Sequence, residues 1–214
     1  MGWQHGGMSE PVREEGSFTV VPTVDDGVRL SASMPWDEAE RPSGPARDTG
    51  RTYSAYELSS GQHLVDVHDH LRAELAQVRD VMEQVLSGET DPATARSHVN
   101  ATAMRQNNWT LGAFCQGYCR LVTTHHTLED VAMFPRLRAA EADLRPVIDR
   151  LEEEHHVIHE VLEGLDQALV QFVAEPADQA RLREAVDLLT DTLLSHLAYE
   201  ERELVEPIAR LRII

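Results

Sequence analysis

Lysine is absent from the chain. All 19 basic residues are arginine, against 37 acidic ones, which gives a formal charge of −18 over 214 residues. That excess argues against nucleic acid or an anionic membrane as a partner, because both carry charge of the same sign. The exclusive use of arginine reads as the composition bias of a GC-rich bacterial genome. Cysteine is scarce too, with only Cys115 and Cys119, one helical turn apart. No disulfide framework is implied, and a reducing, cytoplasmic setting is expected. No run of 18 apolar residues occurs, and MGWQHGGMSEPVREEG lacks an apolar stretch after a basic one. Neither a membrane span nor a standard secretory signal is expected. Histidine breaks this pattern of scarcity. Eleven imidazoles are many for this length, and metal sites and proton chemistry collect them where a plain surface does not.

The chain divides near residue 57. Residues 1–57 hold stretches such as RPSGPARDTG that cannot sustain a helix. They read as an N-terminal extension, flexible or loosely attached, with a possible small hairpin over 18–33 turning at Asp26-Gly27. Residues 58–214 read as helical. Leu64, Leu71, Leu75, Val78 and Met82 repeat at three- and four-residue steps, the period of one buried helix face. A short helix is expected over 92–104. Further long helices are expected over about 108–134, with Met133 inward and Pro135 kinking or ending it, then about 144–174 and 178–211. Four amphipathic helices joined by short links predict an all-α, up-down-up-down four-helix bundle.

Polar residues interrupt each apolar face. An α-helix advances about 100° per residue, so i and i+4 share a face. On this arithmetic His68 points inward from the first helix, and His125 with Glu129 from the second. His155 and His159 point inward from the third, and His196 with Glu200 from the fourth. His126 and Asp130 turn toward the edge, His70 and His156 toward solvent, and Glu201 off the stripe. Burying such groups costs several kcal/mol each unless they are paired or coordinated. A metal centre satisfies the whole set together. Imidazole and carboxylate donors without thiolate suit iron, manganese or zinc.

These residues, His68, then His125 with Glu129, His155 with His159, and His196 with Glu200, resemble the pattern of the hemerythrin and HHE cation-binding family. So do the carboxylate-rich runs LEDVAMFP and YEERELVEP. The resemblance covers about residues 60–211. It implies a hemerythrin-like fold around two non-haem iron ions bridged by an oxo or hydroxo group. His155, His159 and His196 would hold one iron, His68 and His125 the other, with Glu129 and Glu200 between them. The second iron would keep an open position for dioxygen, peroxide or nitric oxide. In oxygen-carrying relatives the acidic residue stands five after the last histidine, which makes Glu201 the alternative to Glu200. Three functions follow from the resemblance: a protein that binds or senses oxygen, nitric oxide or iron; a di-iron enzyme acting on peroxide or oxidising ferrous iron; or a structural metal site.

Overall fold

A computed structural model describes residues 15–87, 112–175 and 179–213. The expected helix over 92–104 lies outside them. The chain forms α1 (Ala55–Leu86) and α2 (Gly112–Leu128), then a π turn (Glu129–Met133) and the short α3 (Phe134–Ala140). The long α4 (Arg145–Ala174) and α5 (Gln179–Leu211) follow. The four long helices make the up-down-up-down bundle, with α5 packed on α1 and α4, and α2 packed on α1 and α4.

α1 begins earlier than its apolar stripe suggests, because Ser54 and Glu57 form a reciprocal cap. The Ser54 N–H donates to Glu57 Oε2 at 2.8 Å, and the Glu57 N–H donates back to Ser54 Oγ at 3.3 Å. Each satisfies an amide the first turn leaves free.

Pro135 neither ends nor breaks the second helical run. The Phe134 N–H bonds the Glu129 carbonyl, five residues back. Proline lacks an N–H, and in an α-helix its ring would strike the carbonyl four residues earlier. The wider π turn absorbs that conflict and inserts one residue into the period. Phe134 is therefore fully buried, and Met133, expected inward, is half-buried.

Buried apolar side chains fall into two clusters. One contains Leu71, Leu75, Tyr118, Val122, Ile158 and Leu193. The other contains Leu64, Phe134, Leu137, Leu151, Tyr199 and Leu204. Each fully buried Leu contributes about 1.5–3 kcal/mol relative to exposure. α1, α4 and α5 cross from one cluster to the other through the stretch that carries the inward histidine, and the run of α2, π turn and α3 does the same.

The described part of the N-terminal segment is strapped to α5. No hairpin forms over 18–33. The amides such a hairpin would use are spent on α5 carboxylates: Thr23 N–H on Glu201 Oε2 at 2.7 Å, and Leu30 and Ser31 N–H on Asp191 Oδ2 at 2.8 and 2.7 Å. Gly27 takes positive φ, 74°, in a local turn where its N–H donates to Asp25 Oδ1. Farther along, the Gly44 N–H donates to Glu203, Tyr199 OH donates to the Pro42 carbonyl, and Tyr53 OH pairs with Glu206. The only strand pairing among the described residues is a two-residue antiparallel ladder, Glu15–Gly16 on Tyr53–Ser54. With the bundle on one side and the strap on the other, α5 is buried nearly all round between Leu189 and Glu201.

Candidate metal centre

Between the two apolar clusters lies a single polar layer. α1 supplies His68, α2 supplies His125 and His126, the π turn supplies Glu129, α4 supplies His155, and α5 supplies His196 and Glu200. Two groups of donor atoms form, each with its atoms within 4.8 Å of one another: His126, His155 and His196; and His68, His125, Glu129 and Glu200.

The carboxylates lie between the groups. Glu129 Oε1 is 3.1 Å from His125 Nε2, and its Oε2 is 3.6 Å from His155 Nε2. Glu200 Oε2 is 3.5 Å from His68 Nε2 and 3.7 Å from His196 Nε2. Within the first group the rings of His126 and His155 stack at 3.9 Å.

The structure thus brings together His68, His125, Glu129, His155, His196 and Glu200. It does not bring in His159, whose side chain is 57% exposed and faces Glu163. His126, expected at the edge, is buried in the layer instead. His125 and His126 straddle the centre line of α2, each about half of the 100° step from it, and the layer is wide enough to receive both. Glu200 faces the donors, and Glu201 stands behind His68.

Three imidazoles are held from behind by carboxylates. His68 Nδ1 is 3.0 Å from Glu201 Oε1, His155 Nδ1 is 2.8 Å from Asp130 Oδ1, and His196 Nδ1 is 3.1 Å from Glu154 Oε2. A proton on Nδ1 leaves the Nε2 lone pair free and aimed at the layer, as ligand histidines require. Glu154 ends a run of three acids, and nothing in the spacing singles out its role.

Electrostatics point the same way. Burial drives all five histidines below their ordinary value, His155 to about 4 and His125 to about 2, with neighbouring imidazoles adding to the effect on His125. They are neutral and able to donate lone pairs. Burial pushes Glu129 and Glu200 above the carboxylate range, helped by the charge of Glu200 on Glu129 and by those of Glu201, Asp130 and Glu154 on Glu200. Glu154 and Glu201 behave oppositely. Burial works against their ionisation, but their partners outweigh it: His196 and Arg41 for Glu154, His68, the Thr23 amide and Arg72 for Glu201.

The five Nε2 atoms and all four oxygens of Glu129 and Glu200 are buried with no hydrogen-bond partner. An unsatisfied buried polar atom costs about 1–3 kcal/mol. Nine in one layer would rival the whole stability of a domain, about 5–15 kcal/mol. Metal coordination by these atoms removes the deficit, so the residues present fit a metal centre. The nitrogen and oxygen donor set, without thiolate, suits first-row transition ions.

A cavity of about 160 Å³ between α2 and α4 reaches the layer, lined by Thr123, His126, Asp130, His155, His156 and His159 among others. Cys119 of α2 is disulfide-bonded. Among the described residues, no helix is long and apolar enough to cross a membrane.

Comparison with known proteins gives one finding. The family model described as the hemerythrin HHE cation binding domain matches residues 61–208, a span that holds all seven residues of the layer and leaves the strap outside. No curated protein and no solved structure matches the chain.

Proposed function

The chain belongs to the hemerythrin HHE cation-binding domain family, and from that premise we propose that its polar layer holds two iron ions and binds dioxygen or a related small ligand. His126, His155 and His196 serve one ion, His68 and His125 the other, with Glu129 and Glu200 facing both. This replaces the His155, His159 and His196 set that the resemblance implied. The protein offers one fewer nitrogen to the second ion, so a coordination position there is left for an external ligand. When bound, a ferrous pair supplies that position together with the electrons a dioxygen-like ligand draws on.

The chain's own contributions are orientation and exclusion. Glu201, Asp130 and Glu154 fix the tautomer and angle of three imidazoles. The flanking apolar clusters keep bulk water from the layer, and the cavity beside His126 and His155 has room only for something small. The observation that carries the reading is the convergence of nine partnerless donor atoms at one depth.

A second reading is a di-iron enzyme that acts on peroxide or oxidises ferrous iron. The titratable groups His156, His159 and Asp130 around the cavity favour it, since they can pass protons between solvent and the layer. Anaerobic purification followed by iron analysis and cycles of air and argon tests both. Two irons per chain and a reversible, oxygen-dependent visible absorption are expected. Irreversible oxidation with peroxide consumption favours the enzyme. Chain that takes up no ferrous iron sinks both readings.

A further inference from the structure

The strap reaches the metal layer at two points. Both are carboxylates that stand behind fully buried histidines. Arg41 forms a two-pronged pair with Glu154, Nε to Oε1 at 2.8 Å and Nη2 to Oε2 at 2.9 Å, while its Nη1 donates to Ser195 Oγ at 2.9 Å. Its side chain is 4% exposed, with the guanidinium 4.7 Å from the centre of the Tyr199 ring and 5.4 Å from that of Trp36. The same Glu154 Oε2 faces His196 Nδ1. On the other side the Thr23 N–H donates to Glu201 Oε2, and Glu201 Oε1 faces His68 Nδ1 and pairs with Arg72 at 2.7 Å. His196 and His68 belong to different donor groups, so the strap has one hold on each. Asp130, the backing carboxylate of His155, has no hydrogen bond or ion pair to the strap among the described residues and borders the cavity.

We infer that the strap is a working part of the metal centre, with Arg41 a positioning residue that fixes Glu154 and through it His196. An arginine fork fixes the plane of a carboxylate as well as its charge. A carboxylate fixed in plane gives the imidazole behind it one orientation. Outer partners of ligand histidines typically matter 10–100-fold in metal affinity. The coupling is reciprocal: if the docked strap helps hold the ion, the ion helps hold the strap. A residue that serves stability alone creates no such dependence on metal.

The inference rests on the two-iron reading, and the experiment separates them. Full-length chain is prepared as wild type, Arg41→Gln, Arg41→Lys and, as control, Arg47→Gln. Arg47 lies over the Phe18 ring and has no part in the Glu154 or Glu201 contacts. Each is loaded anaerobically with ferrous iron. Iron transfer to excess chelator is timed, and trypsin cleavage in the strap is timed with and without iron. Wild type is expected to lose its two ions slowly and to be cleaved more slowly when loaded. Arg41→Gln should lose one ion about ten-fold faster, keep the other at the wild-type rate, and lose the protection of the strap by iron. Arg41→Lys keeps the charge without the fork and should fall between. Arg47→Gln should match wild type. If both Arg41 variants release iron at wild-type rates, or accelerate both ions equally, the inference is overturned. If wild type takes up no ferrous iron, the two-iron reading falls and takes the inference with it.

Discussion

The metal layer has two unlike faces. Toward the strap, His68, His196, Glu200 and Glu201 are all fully buried, and the backing carboxylates are gripped from both sides. Toward the gap between α2 and α4, the Asp130 side chain is 33% exposed and backs His155 alone. Leu128 and Val131 stand in solvent, and the helix runs through a π turn. The same donor chemistry is thus built with opposite mechanics. One face is held by buried ion pairs that leave little freedom. The other is less supported, and the cavity opens there. A site that must hold ions and still admit a ligand needs both, because rigid support and access compete for the same surface.

The largest effect should separate two histidines that sequence arithmetic ranks the other way round. His126→Ala removes a donor from the layer, and affinity for one ion should fall by more than the roughly 10–100-fold typical of an outer partner. His159→Ala removes an exposed ring from the outer lining of the cavity and should leave both ions in place. Iron per chain after passage over a chelating column decides it. Iron lost on His159→Ala and kept on His126→Ala would reverse the assignment.

Those two residues also mark how far the sequence could be read. The bundle was legible because the stripes of α1, α4 and α5 persist over many turns. His68, His155, His196 and Glu200 stand on them, and the stripe of the second helix adds His125 and Glu129. α4 shows where stripe arithmetic drifts. Relative to Leu151, His155 stands at about +40°, Ile158 at −20° and Leu162 at +20°, but His159 at +80°, past the edge, because each four-residue step adds about 40°. Glu154, at about −60°, falls inside, though in the sequence it ends a run of three acids. Met133 was placed inward in Phe134's stead because a uniform period was carried through the π turn, whereas His126, before that turn, was set at the edge because a single stripe centre leaves no room for two adjacent histidines. The clue available was Pro135, read as a break when it marks the wider turn. The contacts of the strap were not legible for a different reason. Its order comes from carboxylates on α5 more than 150 residues away, and local composition holds no record of them.

A middling effect should appear with pH, before any iron is added. Burial keeps the layer histidines neutral in the folded chain, so acid adds protons to the unfolded chain first. Their folded values lie below the ordinary 6.5, so stability is present above 6.5 and is lost as pH falls toward 4, where His155 titrates in the fold. His155 alone accounts for about 3 kcal/mol across that window. Without a backing carboxylate to oppose burial, His125, at about 2, should be among the last to take up a proton. Urea melts of metal-free protein at pH 7 and 5 measure this, and equal midpoints would contradict neutral buried imidazoles. Iron-loaded protein should lose less over the same range, because coordinated nitrogen resists protonation.

The smallest effects test the mechanics of the two faces away from any ion. Gly61 on α1 meets α5 so closely that an added Cβ would sit 2.8 Å from the Val205 carbonyl oxygen and 3.2 Å from Ala209 Cβ. Backbone cannot yield as a flexible side-chain tip can, so Gly61→Ala should cost about 1–3 kcal/mol by forcing α1 and α5 apart. Gly164 on α4 has nothing within 4 Å of the corresponding position. There Gly164→Ala meets no obstacle and should stabilise the protein by roughly 0.5–1 kcal/mol through helix propensity alone. Thermal melts of the two variants should therefore move in opposite directions. If Gly61→Ala melts at the wild-type temperature, the seam between α1 and α5 yields more easily than its spacing implies. The contrast in rigidity between the two faces would then rest on the strap's ion pairs alone.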